Sequence, residues 1–267
     1  MLKKVGKIGP GTRFLTVILP AIGAIRQHNS FRHNDLKYNA LMKFRTAMIT
    51  YFAVLTADLF AIAVGSTALE AVAKPALMLI LLFYFTGRVT SPNGLRRPFI
   101  WALFLSWLGD VFLLADKHSG GWFLFGLAAF LGAHIAYIFF FVRARRLNGV
   151  TGTPSLAATL AVVFYSSALF TFIMPFVAKE MIVPVAVYTI VLTTMLISSI
   201  AAFDKISGDK ARWCIAGTAL FVVSDSILAV NRFAVPFALA PIVVMATYGT
   251  AQFLITDGAR RLCYFRK

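Results

Sequence analysis

The stretch PFIWALFLSWLGDVFLLAD, Pro98 to Asp116, decides how the chain is read. Its apolar body, Phe99 to Ala115, is long enough to cross the hydrocarbon of a bilayer as a helix. Near the far end of that body sits Asp110, directly after Gly109. A carboxyl group in hydrocarbon costs about 2.5–3.5 kcal/mol on insertion scales, so it marks a partner or a task. The stretch GTALFVVSDSILAVN, Gly217 to Asn231, repeats the pattern with Asp225. Two carboxyls in two apolar helices are what an account of function has to explain.

The composition around these stretches agrees. Of 267 residues 60% are hydrophobic and only 13% charged. Soluble domains are about 45–50% apolar, so the chain reads as an all-α, polytopic membrane protein. A formal charge of +16 would suggest nucleic acid in a soluble protein. Here the Lys and Arg residues stand between apolar spans, which fits the positive-inside rule and argues against a nucleic-acid partner. Cys214 and Cys263 form no disulfide framework, and Gly-rich phosphate loops, CxxC and HExxH are absent from the sequence.

Three regions are expected: a basic segment 1–43, an eight-helix membrane domain 44–256, and a basic tail 257–267. In the first, Lys3, Lys4 and Lys7 precede the apolar run Phe14–Ile25 and imitate a signal peptide. Arg26, Arg32, Lys37, Lys43 and Arg45 follow it and resist translocation. The run is also short and carries Pro20, so the segment reads as cytoplasmic or interfacial, its cations meeting anionic headgroups. The spans expected next are Phe44–Gly65, Val72–Gly87, Phe99–Ala115, Trp122–Val142, Leu156–Ala178, Val183–Phe203, Trp213–Asn231 and Phe237–Thr256. Several open near Pro, which suits a first helical turn. With the N-terminus inside, only Lys74, Lys117, Lys179 and Arg232 of the 26 Lys and Arg residues fall on the outer side. Both termini are therefore expected in the cytoplasm.

That orientation sets the depth of the polar residues. Asp58, Asp110 and Asp225 fall in the outer half, with Tyr188 nearby and Lys74 and Arg232 at the outer surface. His134 and Tyr248 lie deeper. Thr218, Asp225 and Arg232 are spaced by sevens and share a helix face, while Ser106 and Asp110, like Tyr248 and Gln252, stand four apart. His134 and Tyr137 stand three apart, roughly opposite the small residues Ala128, Gly132 and Ala136, which suit close helix packing. The groups point to one polar pocket open to the outer half of the bilayer. A zinc site needs three or four protein ligands, and of four histidines only His134 lies inside a span, so no metal is expected. Ser224 and Ser226 flank Asp225 without an adjacent base, which disfavours a serine nucleophile.

Lys74-Pro75, LGDVFLL around Asp110, FGLAAFLGAHIAY (Phe125–Tyr137), VAVYTIVLTTM (Val185–Met195), FVVSDSILAVNRF (Phe221–Phe233) and ATYGTAQFLI (Ala246–Ile255) occur in this order. Together they resemble the YhhN-type lysoplasmalogenase family of eight-span membrane proteins; the basic N-terminal segment departs from the family's usual start. The resemblance implies hydrolysis of the vinyl-ether bond of lysoplasmalogen to a fatty aldehyde and glycerophosphoethanolamine or glycerophosphocholine, without a cofactor. It makes Asp110 and Asp225 the catalytic pair.

The chemistry suits those residues. Acid protonates the β-carbon of a vinyl ether, and water captures the oxocarbenium ion. This asks for a carboxylic acid still protonated near neutral pH, the form that a low-dielectric surrounding favours. A second carboxylate can steady the cation and deprotonate the water, as in glycosidases. Which aspartate is the acid stays open at this point. Tyr188, His134 and Tyr248 are expected to line the site, with Tyr137, Asn231 and Asp58 in the substrate-binding set. Lys74 or Arg232 would hold the lysophospholipid's phosphate. Short loops favour a bacterial inner membrane. A proton-coupled transporter, for which intramembrane Asp and His are equally natural, and a hydrolase of another lysolipid are the competing readings. Transporters often show internal repeats and broken helices, and neither is evident in the sequence.

Overall fold

A computed structural model describes residues 45–87, 94–147, 149–151, 153–203 and 209–264. The segment 1–43, expected to be interfacial, lies outside the described residues. Among these residues eight long helices follow one another: α1 (Arg45–Val64), α2 (Thr67–Thr86), α3 (Arg96–Ser119), α4 (Phe123–Leu147), α5 (Leu156–Ile173), α6 (Lys179–Phe203), α7 (Asp209–Ala229) and α8 (Ala240–Tyr264). A 3-10 turn, Met174–Phe176, continues α5, and a π turn, Val230–Ala234, continues α7. No strand occurs among the described residues. Among the described residues, seven helices are long and apolar enough to cross a membrane. The chain is an all-α polytopic membrane protein.

The helix α8 is long but falls outside those seven. Its polar residues Tyr248, Gln252, Thr256 and Asp257 are all buried within the protein. It also runs to Tyr264, two turns past the expected end at Thr256. There Asp257 takes hydrogen bonds from Arg260 and Arg261.

The chain divides by its internal contacts into Met1–Thr50, of which 45–50 are described as the start of α1, and Tyr51–Lys267.

The helices α2 and α6 begin about one turn earlier than expected. The α2 helix starts at Thr67, just past a turn at Gly65 (φ 70°), so Pro75 lies inside it and Lys74 stands two turns in. Likewise α6 starts at Lys179 and carries Pro184 within it. The residues upstream explain the shift. Glu70 and Glu180 occupy first turns, where the helix dipole favours negative charge. Glu70 is also salt-bridged to Lys117 of α3. A proline inside a helix forfeits one backbone hydrogen bond, a cost these helices carry.

The loop from α3 to α4 is held by one side chain. Asp116 Oδ1 accepts hydrogen bonds from the Trp122 and Phe123 N–H groups, both at 3.0 Å, and so caps α4 across Gly120 and Gly121. At the end of α7, Asn231 Oδ1 accepts the Phe237 N–H at 3.0 Å and fixes the turn toward α8.

The most extensive helix pairs are α7–α8 and α3–α4. Small residues let both close. A Cβ on Gly217 of α7 would stand 2.8 Å from the Ile255 backbone nitrogen and 3.0 Å from the Ala251 carbonyl oxygen of α8. One on Gly109 would stand 2.5 Å from the Phe130 ring of α4. Gly217→Val therefore forces the α7 and α8 backbones apart. Overpacking of this kind costs about 1–3 kcal/mol, read as a lower unfolding midpoint in detergent. A midpoint equal to that of the unchanged protein would mean that the two backbones are not in contact.

Candidate active site

A cavity lies among α3 to α7, walled by apolar side chains such as Leu113, Leu127 and Leu192. Asp225 of α7 stands in its wall. Its Oδ2 accepts a hydrogen bond from the Tyr188 hydroxyl of α6 at 2.6 Å. His134 Nε2 of α4 lies 3.8 Å from the same oxygen. The imidazole is fully buried, edge-on to Tyr188 (5.2 Å between ring centroids) and to Phe221 (4.9 Å). Neither of its nitrogens makes a hydrogen bond among the described residues.

Arg232 also lines the cavity. Seven residues beyond Asp225, it stands about 10 Å along the helix axis. Its guanidinium carbon sits 4.5 Å from the centre of the Phe123 ring, and one of its nitrogens lies 3.5 Å from Asp116 Oδ2. The side chain stays 49% exposed, so much of the cation faces outward. Asp116, not foreseen as part of the site, thus caps α4 and steadies Arg232 at once. Asp225 and Arg232 share the face that their spacing predicted. Thr218, the third residue of that series, spends its hydroxyl on the Cys214 and Ile215 carbonyls.

Asp110 occupies a second setting. It is buried and absent from the cavity wall, and its Oδ2 accepts the Tyr248 hydroxyl of α8 at 2.8 Å. Beside it, Gln252 donates to Ser106 Oγ (3.0 Å) and accepts from the Tyr137 hydroxyl (2.6 Å). Two rings stand between the settings. Phe221 meets His134 on one side and Tyr248 on the other, at 5.4 Å. Phe130, itself on the cavity wall, meets Tyr248 at 5.8 Å. Phe130 and Phe221 carried no signal in the sequence beyond being two phenylalanines among 26.

The remaining expected residues divide between these settings. Tyr188, His134 and Arg232 gather at Asp225. Tyr248 gathers at Asp110, and Tyr137 joins it through Gln252. Asp58 of α1 and Lys74 of α2 do not line the cavity. Asp58 is fully buried, and its oxygens have no hydrogen-bond partner among the described residues. Asn231 is absent from the cavity wall, its amide oxygen taken by Phe237. Among the described residues, no group of three His, Cys, Asp or Glu could hold a metal ion.

Comparison with known proteins gives relatives along most of the chain. It is 32% identical to lysoplasmalogenase TMEM86B of Rattus norvegicus, over 70% of this chain and 71% of the relative. The human TMEM86B lysoplasmalogenase is 32% identical over 65% of this chain and 68% of its own length. The lysoplasmalogenase of Mycobacterium tuberculosis is 30% identical over 73% of this chain and 71% of its own. No solved structure matches. The YhhN family model matches residues 69–259, a region that holds both aspartates and every cavity-lining residue, and the chain belongs to the YhhN family.

Proposed function

We propose that the chain is a lysoplasmalogenase, cleaving the vinyl-ether bond of lysoplasmalogen to a fatty aldehyde and a glycerophospho-ethanolamine or glycerophosphocholine. The observation that carries this reading is the pairing of Asp225 and Arg232 on one cavity wall. A cation that binds phosphate and a carboxyl that handles protons stand about 10 Å apart along the axis. A lysolipid's phosphate and vinyl ether, separated by its glycerol, fit that interval. The relatives named lysoplasmalogenase support the same activity.

Asp225, as the aspartate on the cavity wall, is the acid. Tyr188 occupies Oδ2 and leaves Oδ1 to carry the proton. That proton passes to the β-carbon of the vinyl ether, and the α-carbon becomes an oxocarbenium ion. Water adds there, and the Asp225 carboxylate takes its proton, which restores the acid. The hemiacetal then collapses to aldehyde and alcohol. Asp110, held by Tyr248, supplies a negative charge that steadies the cation from behind Phe130 and Phe221. The substrate lies in the membrane with its phosphate at Arg232. The charge bias of the loops supports a cytoplasmic location for both termini, and the short loops favour a bacterial inner membrane.

The test is aldehyde release from lysoplasmalogen by the purified protein, with the saturated ether lipid as control. Aldehyde from the vinyl ether alone is the expected result, and none from a folded sample would overturn the reading. In the same assay Arg232→Ala lowers kcat/KM by about tenfold or more, mostly through KM, because a charged hydrogen bond to phosphate contributes about 1.5–3 kcal/mol. An unchanged KM would remove Arg232 from the binding site.

A further inference from the structure

The cavity is shorter than the lipid that it is read to hold. From Arg232 it runs inward past Asp225, but beyond Asp225 it reaches only Val222 on α7 and, past Tyr188, only Leu192 on α6. Those are three and four residues, or about 4.5 and 6 Å of helix rise. An extended hydrocarbon chain advances about 1.3 Å per carbon, so the enclosed part takes four or five carbons, whereas a sixteen-carbon chain needs about 20 Å.

The side of the cavity offers an exit. At its Arg232 end α5 is anchored, because Ile173 packs with Val177 and Val185 against Phe233 of the π turn. Taken over its length, α5 leans mainly on α6 and scarcely on α4. Tyr165, further along α5, lines the cavity and is also 43% exposed at the protein's surface. Leu127 and Phe130 of α4 line the same cavity. Beyond Tyr165, Phe164, Leu160 and Leu156 present an exposed apolar strip along α5.

We propose that the substrate's hydrocarbon chain leaves the cavity sideways between α4 and α5, past Tyr165, and lies in the bilayer hydrocarbon along α5. The enzyme then holds the phosphate, the glycerol, the vinyl ether and the first few carbons, and does not measure the chain. Lipids that differ beyond those carbons are equivalent substrates. This rests on the lysoplasmalogenase reading of the same site.

The experiment uses the full-length protein in lipid nanodiscs and lysoplasmalogens with alkenyl chains of eight, twelve and sixteen carbons, plus a sixteen-carbon chain ending in pyrene. Saturating kcat values within about threefold of one another, the pyrene lipid included, are expected. An enclosing pocket discriminates by about tenfold or more for as little as one methylene. A fall of about tenfold at sixteen carbons, or on adding pyrene, with the eight-carbon lipid still cleaved, would overturn the lateral exit and leave the hydrolase reading standing. No aldehyde from any of the four lipids would overturn both.

Discussion

Asp225→Asn lowers aldehyde release by about a thousandfold while the protein stays folded. The size of the loss follows from the role: a positioned proton donor contributes about 10²–10⁴ in rate. The amide is nearly isosteric, and its oxygen still accepts the Tyr188 hydroxyl that now meets Oδ2 at 2.6 Å. The unfolding midpoint and the elution profile in detergent therefore stay close to those of the unchanged protein. What the amide lacks is an acid able to protonate carbon and a carboxylate able to take a proton from water. A variant that keeps a rate within about tenfold of the original would move the proton transfer to another group.

Asp110→Asn lowers kcat by about a hundredfold with KM nearly constant. Its carboxyl stands off the cavity wall, behind Phe130 and Phe221, so it makes no contact that could hold the ground-state lipid. Its charge acts on the cation that exists only after proton transfer, and such an interaction appears in kcat rather than KM. The same separation predicts that the double variant loses little beyond Asp225→Asn, since groups serving one step are strongly non-additive. A raised KM with unchanged kcat would make Asp110 a binding group and end its assignment to the chemical step.

The polar residues of the site were legible because hydrocarbon makes them conspicuous. An aspartate inside an apolar span stands out, and counting along a helix places Arg232 on the face of Asp225. The tyrosines expected near the site do meet the two carboxyls, Tyr188 at Asp225 and Tyr248 at Asp110. What the sequence concealed is that these are two settings rather than one open pocket. The partition is built of phenylalanine, and a phenylalanine that divides a site reads the same as one that faces lipid. The early starts of α2 and α6 were hidden for a related reason. A proline suggests a helix opening, but good helix formers and a first-turn glutamate upstream outweigh the one bond that proline forfeits. Asn231, expected in the substrate-binding set, stands off the cavity wall with its amide oxygen accepting the Phe237 N–H, a turn contact that its place beside Arg232 did not announce.

The buried polar face of α8 has a consequence for how the protein is made. A helix carrying Tyr248, Gln252, Thr256 and Asp257 gains little from lipid on its own. Three of them meet groups on earlier helices: Tyr248 meets Asp110 on α3, Gln252 meets Tyr137 on α4 and Asp257 meets Tyr84 on α2. Synthesis delivers α8 after all of these. Its stable insertion is therefore an assembly step, in which α8 docks against α7 and meets a waiting polar seam, and completion of the active site and retention of the last helix in the membrane become one event.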